Sequence, residues 1–327
     1  MLRNISLKLG CILSKKITLR NSLVSKTRWF WLMSFTFFNL ISQTKETSIR
    51  PKLIVLGTVQ DGGLPHIGCA KSCCSNLTLE LGAHYQVTAL AVKQPKISTS
   101  ILFEASPDIV SQWNQLENSP TAVFLTHAHI GHYTGLMYLG REALGAKNIP
   151  VYVMPRMRSF LKNNAPWSQL VELKNIELIK MTAERPKMLG SVKITPILIP
   201  HRDEFSETVG YRIQGPNKTA LFLPDIDKWE RWNTDLAEIL KTVDYAFIDA
   251  TFFDEAELNY RPIYEIPHPL VKETVALLET SPNHLRKKVY FIHMNHTNPI
   301  LNPNSKATKW VLNQGFNIAR KGQSFDL

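Results

Sequence analysis

Three histidines within six residues of one another, directly after an apolar run, limit the fold of this chain more than any other feature. The run from Ala122 to Thr126 has the β-branched and aromatic character of a buried strand, and His127, His129 and His132 follow it at once. A chain that turns at the end of a strand can point several imidazoles at one spot. Because imidazole is the usual ligand of catalytic zinc, we expect a metal centre at the end of this strand.

Other residues that could ligate a metal also follow apolar runs. His201, Asp225 and His293 each come directly after a short run of aliphatic or aromatic residues. Loops at one edge of a rigid sheet can bring such residues together, so we expect these three to join the histidines. Asp225 could bridge two metals, and its alternative role is that of an ordinary turn residue.

Apolar periodicity predicts strands and helices that alternate along the chain. The predicted strands span residues 52–57, 100–104, 122–126, 150–154, 192–199, 210–214, 219–223, 245–249 and 289–293, and the predicted helices span 107–116, 132–144, 229–241, 268–279 and 306–313. Several neighbouring strands are joined by turns that are too short for a crossover helix, so we expect mixed sheets. Two sheets flanked by helices fit this pattern.

Cys69, Cys73 and Cys74 lie at the end of a segment, 58–74, whose turn residues predict a long irregular loop. Neighbouring Cys73 and Cys74 make a poor disulfide, and three thiols are an odd number. Metal ligation therefore competes well with disulfide formation and with a role as small buried thiols. The cluster is typical of half of a zinc site.

The net charge of +11 is concentrated in the first part of the chain. Eight lysines and arginines precede the first acidic residue, Glu46, which leaves +3 for the remainder. A nearly neutral domain without a Lys/Arg-rich stretch is a poor ligand for long polyanions, so a nucleic-acid partner is disfavoured and a nuclease ranks third among the functions considered.

Residues 1–45 have the layout of a presequence. An apolar run, 29–41, is preceded by Lys26 and Arg28, and it is shorter than the roughly 20 residues of a transmembrane helix. We therefore predict a cleaved export signal and no stable membrane span, followed by a folded domain over residues 50–327. The alternatives are an organelle transit peptide, a start codon misassigned upstream of a short signal, or a cytoplasmic location.

Residues 52–327 resemble the metallo-β-lactamase superfamily. The resemblance lies in segments 55–65, 105–109, 126–136, 248–252 and 291–301, and it is strongest to the branch that contains PQQ biosynthesis protein B, cyclic phosphodiesterases and tRNase Z. It implies a four-layer αββα sandwich of two mixed sheets flanked by helices. It also implies a metal-dependent hydrolase, with two metals that activate a water at a phosphoryl or acyl centre.

The same resemblance implies a role for each candidate residue. His127, His129 and His201 would hold one metal, His132 and His293 would face a second, and Asp225 would lie between them. His268 would contact the substrate or protonate a leaving group, and Asp249 would fix a histidine tautomer. Cys69, Cys73, Cys74 and His296 would form a structural zinc site. The Cys-x₃-Cys-Cys spacing departs from the usual family spacing, which leaves open whether one of the cysteines is uninvolved.

Position 131 departs from the family pattern, which has aspartate where this chain has Gly131. Asp61, in the loop after the first strand, is an additional carboxylate that could replace it, although an aspartate before two glycines is also typical of a turn. The expected metal is Zn²⁺ at one or two active-site positions, with Mn²⁺ or Fe²⁺ as options. The substrate would be a small phosphodiester or ester, and a homodimer is compatible with the sequence.

A second function of a different class stays open. Proteins that make PQQ keep the Asp-His end of the motif and lose its first two histidines, whereas this chain does the reverse. An oxidative role of the PQQ-biosynthesis type, or a metal or cofactor carrier without hydrolytic activity, is therefore the alternative to a hydrolase.

Overall fold

The structure, a computed structural model, describes residues 50–78, 82, 84–258 and 262–327. The predicted presequence and its apolar run lie outside these residues. Two seven-stranded sheets form the centre of the described part. The first contains β1 (Lys52–Gly57), β2 (Ala89–Gln94), β3 (Thr99–Phe103), β4 (Pro120–Phe124), β5 (Ile149–Val153), β6 (Ile176–Lys180) and β14 (Ser324–Asp326). The second contains β7 (Lys187–Leu189), β8 (Val192–Leu198), β9 (Val209–Gln214), β10 (Thr219–Leu223), β11 (Tyr245–Asp249), β12 (Val289–Ile292) and β13 (Asn317–Ile318).

Both sheets are mixed, as the short turns in the sequence predict. The strand orders are β14-β1-β2-β3-β4-β5-β6 and β13-β12-β11-β10-β9-β8-β7. Strands β3 to β6 run parallel, and so do β10 to β13. The remaining neighbours pair antiparallel. The carboxyl ends of parallel strands share one edge of a sheet, which is where a site can be assembled.

Helices cover the outer faces of the two sheets. The α-helices of the described residues are α1 (Ser72–Ser75), α2 (Ile109–Asn114), α3 (Ile130–Tyr133), α4 (Pro155–Asn163), α5 (Trp167–Glu172), α6 (Leu236–Lys241), α7 (Val271–Leu277), α8 (Asn283–Arg286) and α9 (Lys306–Asn313). Short 3₁₀ turns span Pro95–Ile97, Thr134–Leu139, Trp229–Arg231, Glu255–Leu258, Ile263–Glu265 and Pro299–Leu301. In this part of the chain, no helix is long and apolar enough to cross a bilayer.

Three apolar layers hold the four structural layers together. Between the sheets, Phe103 and Phe124 of the first pack with Tyr211, Phe222 and Phe247 of the second. A second cluster lies between the first sheet and helices α2, α4 and α5, and a third lies between the second sheet and helices α6 to α9. Strands covered on both faces carry nearly continuous apolar runs, as β3, β4 and β10 do. The predicted αββα sandwich is confirmed.

Two of the predicted helices are wrong in extent. The segment predicted as a helix over 132–144 is the short α3 followed by a 3₁₀ turn, Thr134–Leu139. Its backbone lies against the β3–α2 connection, where the Gly135 amide donates to the Ala105 carbonyl and a Cβ at Gly135 would lie 2.1 Å from the Ser106 carbonyl oxygen. This tertiary contact replaces the α-helical bonding that the periodicity predicts.

The helix predicted over 229–241 is also divided. A 3₁₀ turn covers Trp229–Arg231, and α6 begins only after Asp235, whose side chain accepts the amides of Ala237 and Glu238. Such an N-cap fixes the residue at which a helix begins. Strands β2, β6, β7, β13 and β14 and helices α1, α4, α5 and α8 are absent from the sequence prediction, and α1 begins inside the segment predicted as an irregular loop.

Candidate metal centre

The candidate ligands lie at the carboxyl ends of strands from both sheets, as the sequence predicts. His127 and His129 follow β4, and His132 lies in α3 directly beyond them. His201 and Asp225 follow β8 and β10. Asp249 ends β11, and His293 comes one residue after β12. The two sheets therefore deliver their side chains to one place.

The first subsite consists of His127, His129, His201 and Asp225, whose ligand atoms all lie within 4.8 Å of one another. Nε2 of His127 is 2.8 Å from Nδ1 of His129 and 3.3 Å from Oδ2 of Asp225. Nε2 of His201 is 3.3 Å from the other oxygen of Asp225. Three imidazoles and a carboxylate form the donor set of a zinc site.

The second subsite consists of Asp61, His132, His293 and the same Asp225, again within 4.8 Å. Oδ1 of Asp61 is 3.1 Å from Nε2 of His132 and 3.1 Å from Nε2 of His293. Oδ2 of Asp225 is 3.6 Å and 3.9 Å from the same two nitrogens. Asp61 therefore belongs to the centre while it also forms the turn that precedes Gly62 and Gly63.

The donor atoms of the two subsites are better suited to binding a cation than to hydrogen bonding with one another. Among the described residues, Nε2 of His132, Nε2 of His201 and Oδ1 of Asp225 are buried and make no hydrogen bond of good geometry. Asp61 and His268 lie 3.1 Å from two of these atoms, but in orientations that do not satisfy them. Buried polar atoms without partners cost free energy, and bound metals would supply the missing interactions. Zinc and other divalent metals that accept nitrogen and oxygen ligands suit these residues.

Both carboxylates of the centre are held in the charged form that ligates metals. Burial alone would raise the pKa of Asp225, but the surrounding imidazoles hold it well below its ordinary value. Burial likewise opposes ionisation of Asp61, and the neighbouring imidazoles of His132 and His293 bring its pKa well below the ordinary value.

Polar neighbours contact the far nitrogen of several ligating rings and so direct the near nitrogen towards the centre. Nδ1 of His127 is 2.9 Å from the Thr126 hydroxyl, and Nδ1 of His293 is 3.0 Å from the Thr251 hydroxyl. Sequence reasoning did not find either threonine. Each lies one or two residues from a ligand or from Asp249, which is the signal that could have found it.

Two glutamates also face ligating histidines, at ion-pair distance, and neither was predicted from the sequence. Glu104 is fully buried, with Oε1 3.2 Å from Nδ1 of His132. Glu204 is half-exposed, with Oε2 3.2 Å from Nε2 of His129. Glu104 and His293 have positive φ values, 75° and 62°, which few residues other than glycine adopt, and such backbone strain concentrates at functional sites.

His268 and Asp249 form a pair beside the two subsites. Nδ1 of His268 is 2.8 Å from Oδ2 of Asp249 and 3.1 Å from Oδ1 of Asp225. Burial would lower the pKa of His268, but the two carboxylates outweigh it and raise the pKa to about 10. Asp249 is fixed by the amides of Ile226 and Thr251. As predicted, Asp249 contacts a histidine, and that histidine is His268.

The second predicted metal site is also brought together. Cys69, Cys73, Cys74 and His296, here called the cysteine cluster, place one ligand atom each within 4.8 Å of the others. The Cys69–Cys73 and Cys73–Cys74 sulfurs are 4.0 Å and 3.9 Å apart. Zinc–sulfur bonds of about 2.3 Å in a tetrahedron separate two sulfurs by about 3.8 Å, so the spacing fits. Cys69, Cys73 and Cys74 are free thiols, and the sulfurs of all three lie in the cluster.

Three comparisons show which known proteins this chain resembles in sequence and fold. The family model described as "Beta-lactamase superfamily domain" matches residues 99–294. Coenzyme PQQ synthesis protein B of Methylobacterium sp. (strain 4-46) is 25% identical over 308 residues, covering 84% of this chain and 99% of the relative. Zn²⁺-bound PqqB from Methylobacterium extorquens has a TM-score of 0.69 at 22% identity, covering 84% of this chain and 100% of that one. A diphosphatase of the PhnP family has a TM-score of 0.61 at 22% identity, covering 85% and 97%.

Proposed function

Since the chain belongs to the beta-lactamase superfamily, we propose that it is a metal-dependent hydrolase that acts on a small phosphodiester or a related ester. The observation that carries the proposal is the pair of histidine-rich subsites joined by Asp225. Two divalent metals bound there would activate a water and polarise the oxygens of a phosphoryl or acyl centre. Zinc is the metal we propose, because the donor set suits it and a related fold is described as Zn²⁺-bound.

The histidines of the two subsites and Asp225 have different proposed roles. His127, His129 and His201 would hold one metal, and His132 and His293 would hold the other. Asp225 faces both groups of histidines, with one oxygen towards His201 and the other towards His127 and His132. With metals bound, Asp225 would be the ligand common to both subsites, and the metals would polarise the oxygens of the substrate.

His268 is the proposed proton donor to the leaving group. Its Nδ1 faces Asp249, so the imidazole is oriented and the opposite nitrogen can donate a proton. Asp249 cannot rotate away, because two backbone amides and the Thr251 hydroxyl hold it. The pair therefore has the arrangement of a general acid and the carboxylate that positions it.

The cysteine cluster would hold a third, structural zinc. Its loop is glycine-rich and largely exposed, so burial of apolar surface stabilises it little. A closed Cys₃His site supplies the folding free energy that such a loop lacks.

The full chain, reconstituted with Zn²⁺, Mn²⁺ or Fe²⁺, tests the proposal with bis-p-nitrophenyl phosphate and a panel of small esters. We expect turnover that a chelator abolishes and that His127→Ala reduces. The control is Asp235→Asn, which removes an exposed carboxylate at the start of α6 and keeps an efficient N-cap. Bound metal without turnover in any metal form would overturn the hydrolase.

One observation favours a second function. The curated relatives that match nearly over their whole length are named for PQQ synthesis. A protein of the PQQ-biosynthesis type, or a metal or cofactor carrier, is therefore the second candidate. This second candidate is supported if the metal-loaded chain hydrolyses none of the diesters and esters tested.

A further inference from the structure

Gly131 and Asp61 compete for one volume beside the second subsite. A Cβ built on Gly131 would lie 2.5 Å from both Cγ and Oδ1 of Asp61, which is closer than such atoms approach in real structures. It would also lie 2.7 Å from the Cα of Asp61. Asp61 could therefore not keep its present position if residue 131 had a side chain.

Asp61 uses this volume to contact both histidines of the second subsite. The same carboxylate oxygen is 3.1 Å from His132 and 3.1 Å from His293, and the side chain is only 11% exposed. A surface turn aspartate would direct its oxygens to solvent or to nearby amides. Asp61 instead faces two buried imidazoles.

The loop that carries Asp61 is fixed from both sides. Before it, the Gln60 amide donates to the Met294 carbonyl, and the Met294 amide donates to the Thr58 carbonyl, so this stretch is tied to the segment of His293. After it, Gly63 has a φ of 70° and its amide donates to the Gln60 carbonyl. The turn is tight, and its side chain has little freedom to leave the centre.

We propose that Asp61 is a ligand of the second subsite in place of a carboxylate at position 131, so that the loop after β1 and not the histidine motif supplies this carboxylate. This inference rests on the proposed two-metal centre. Glycine at 131 is then a requirement of the site, because any side chain there would displace the ligand.

Two variants of the full chain test the proposal by metal content and metal affinity. Asp61→Asn keeps the shape of the side chain and removes its charge, and it should weaken one active-site metal by about a hundredfold or more, above the usual effect of losing a supporting partner. Gly131→Ala removes no ligand but pushes Asp61 aside, and it should weaken the same metal by about tenfold or more. Ile130→Ala, at a neighbouring side chain that is 60% exposed, is the matched control and should bind as the wild type does.

The expected result is three metals per wild-type chain and two per chain in both variants at limiting metal, with melting curves to show that each is folded. Retention of both active-site metals at wild-type affinity in Asp61→Asn overturns the inference, and so does wild-type affinity in Gly131→Ala. Failure of the proposed function looks different, because the wild type itself would then bind no metal pair or show no turnover.

Discussion

The two subsites share Asp225 but are built differently. The first takes His127, His129 and His201 from positions that directly follow strands β4 and β8. The second takes His293 from the end of β12 and Asp61 from the irregular loop after β1. Ligands at strand ends are fixed by the core beneath them, whereas a loop ligand is only as fixed as the contacts of its loop.

The loop of Asp61 ends in the cysteine cluster. The His66 ring stacks on the cluster ligand His296, with 4.3 Å between centroids, and the His66 amide donates to the Cys74 sulfur. A Cβ on Gly62 would lie 2.4 Å from the His66 ring, so the residue after Asp61 packs directly on this histidine. Asp61 and the cluster are therefore linked through His66, and we expect the second subsite to depend on the cluster and the first to be independent of it.

The largest loss of activity is expected on substitution of Asp225, the residue that the two subsites share. Asp225→Asn removes the charge that both share, and we expect a loss of about a thousandfold or more in kcat/KM, because several kcal/mol of charge stabilisation depend on the metals. Affinity for both active-site metals should fall, as measured by metal content after dialysis. Wild-type affinity in the first subsite would show that Asp225 serves only the second.

A second prediction concerns His268, the proposed donor of a proton to the leaving group, and the subsite beside which it lies. The His268 ring is 5.3 Å from that of His201 and 6.3 Å from that of His293, measured between centroids, so it lies closer to the first subsite. His268→Gln should reduce the hydrolysis of diesters with poor leaving groups by about a hundredfold or more and affect p-nitrophenyl esters much less.

The control for this variant is metal content, which should stay at the wild-type value because His268 is not a ligand of either subsite. An equal loss for good and poor leaving groups would contradict a proton-donor role and indicate a role in placing Asp225.

The cysteine cluster gives the third and most direct test of the comparison. Cys74→Ser should release the metal of the cluster and, through His66 and Gly62, weaken the second-subsite metal by about tenfold to a hundredfold, as loss of a supporting contact does. The first subsite should keep its affinity. Co²⁺ reports the difference, since thiolate ligands give an intense near-ultraviolet charge-transfer band that histidine and carboxylate ligands do not.

Ser72→Ala is the matched control, because this exposed hydroxyl lies two residues from Cys74 in the same short helix. An unchanged second subsite in Cys74→Ser would break the proposed link between cluster and loop. Equal weakening of both subsites would indicate a general loss of structure.

The features of the site that could be predicted from the sequence are those whose contacting residues lie close together in the chain. The histidine motif and the strand-end ligands could be predicted, because an apolar run and a polar residue after it are local patterns. The role of Asp61 could not be decided, because the space it fills belongs to Gly131, seventy positions later. The helix predicted over 132–144 was wrong for a similar reason, since Gly135 packs on a backbone that is distant in sequence.

The smallest change in metal affinity is expected on substitution of Glu204, which contacts the first-subsite ligand His129. Glu204 contacts His129 but its side chain is 50% exposed, whereas Glu104 contacts His132 and is fully buried. Solvent screens an exposed pair, so Glu204→Gln should change first-subsite affinity by less than about fivefold. Glu104→Gln should weaken the second subsite by about tenfold or more, because the lost charge faces a buried imidazole. Metal titrations of the two variants side by side measure both values, and a larger effect at Glu204 would show that the first subsite owes its affinity to its exposed loop and not to the strand ends.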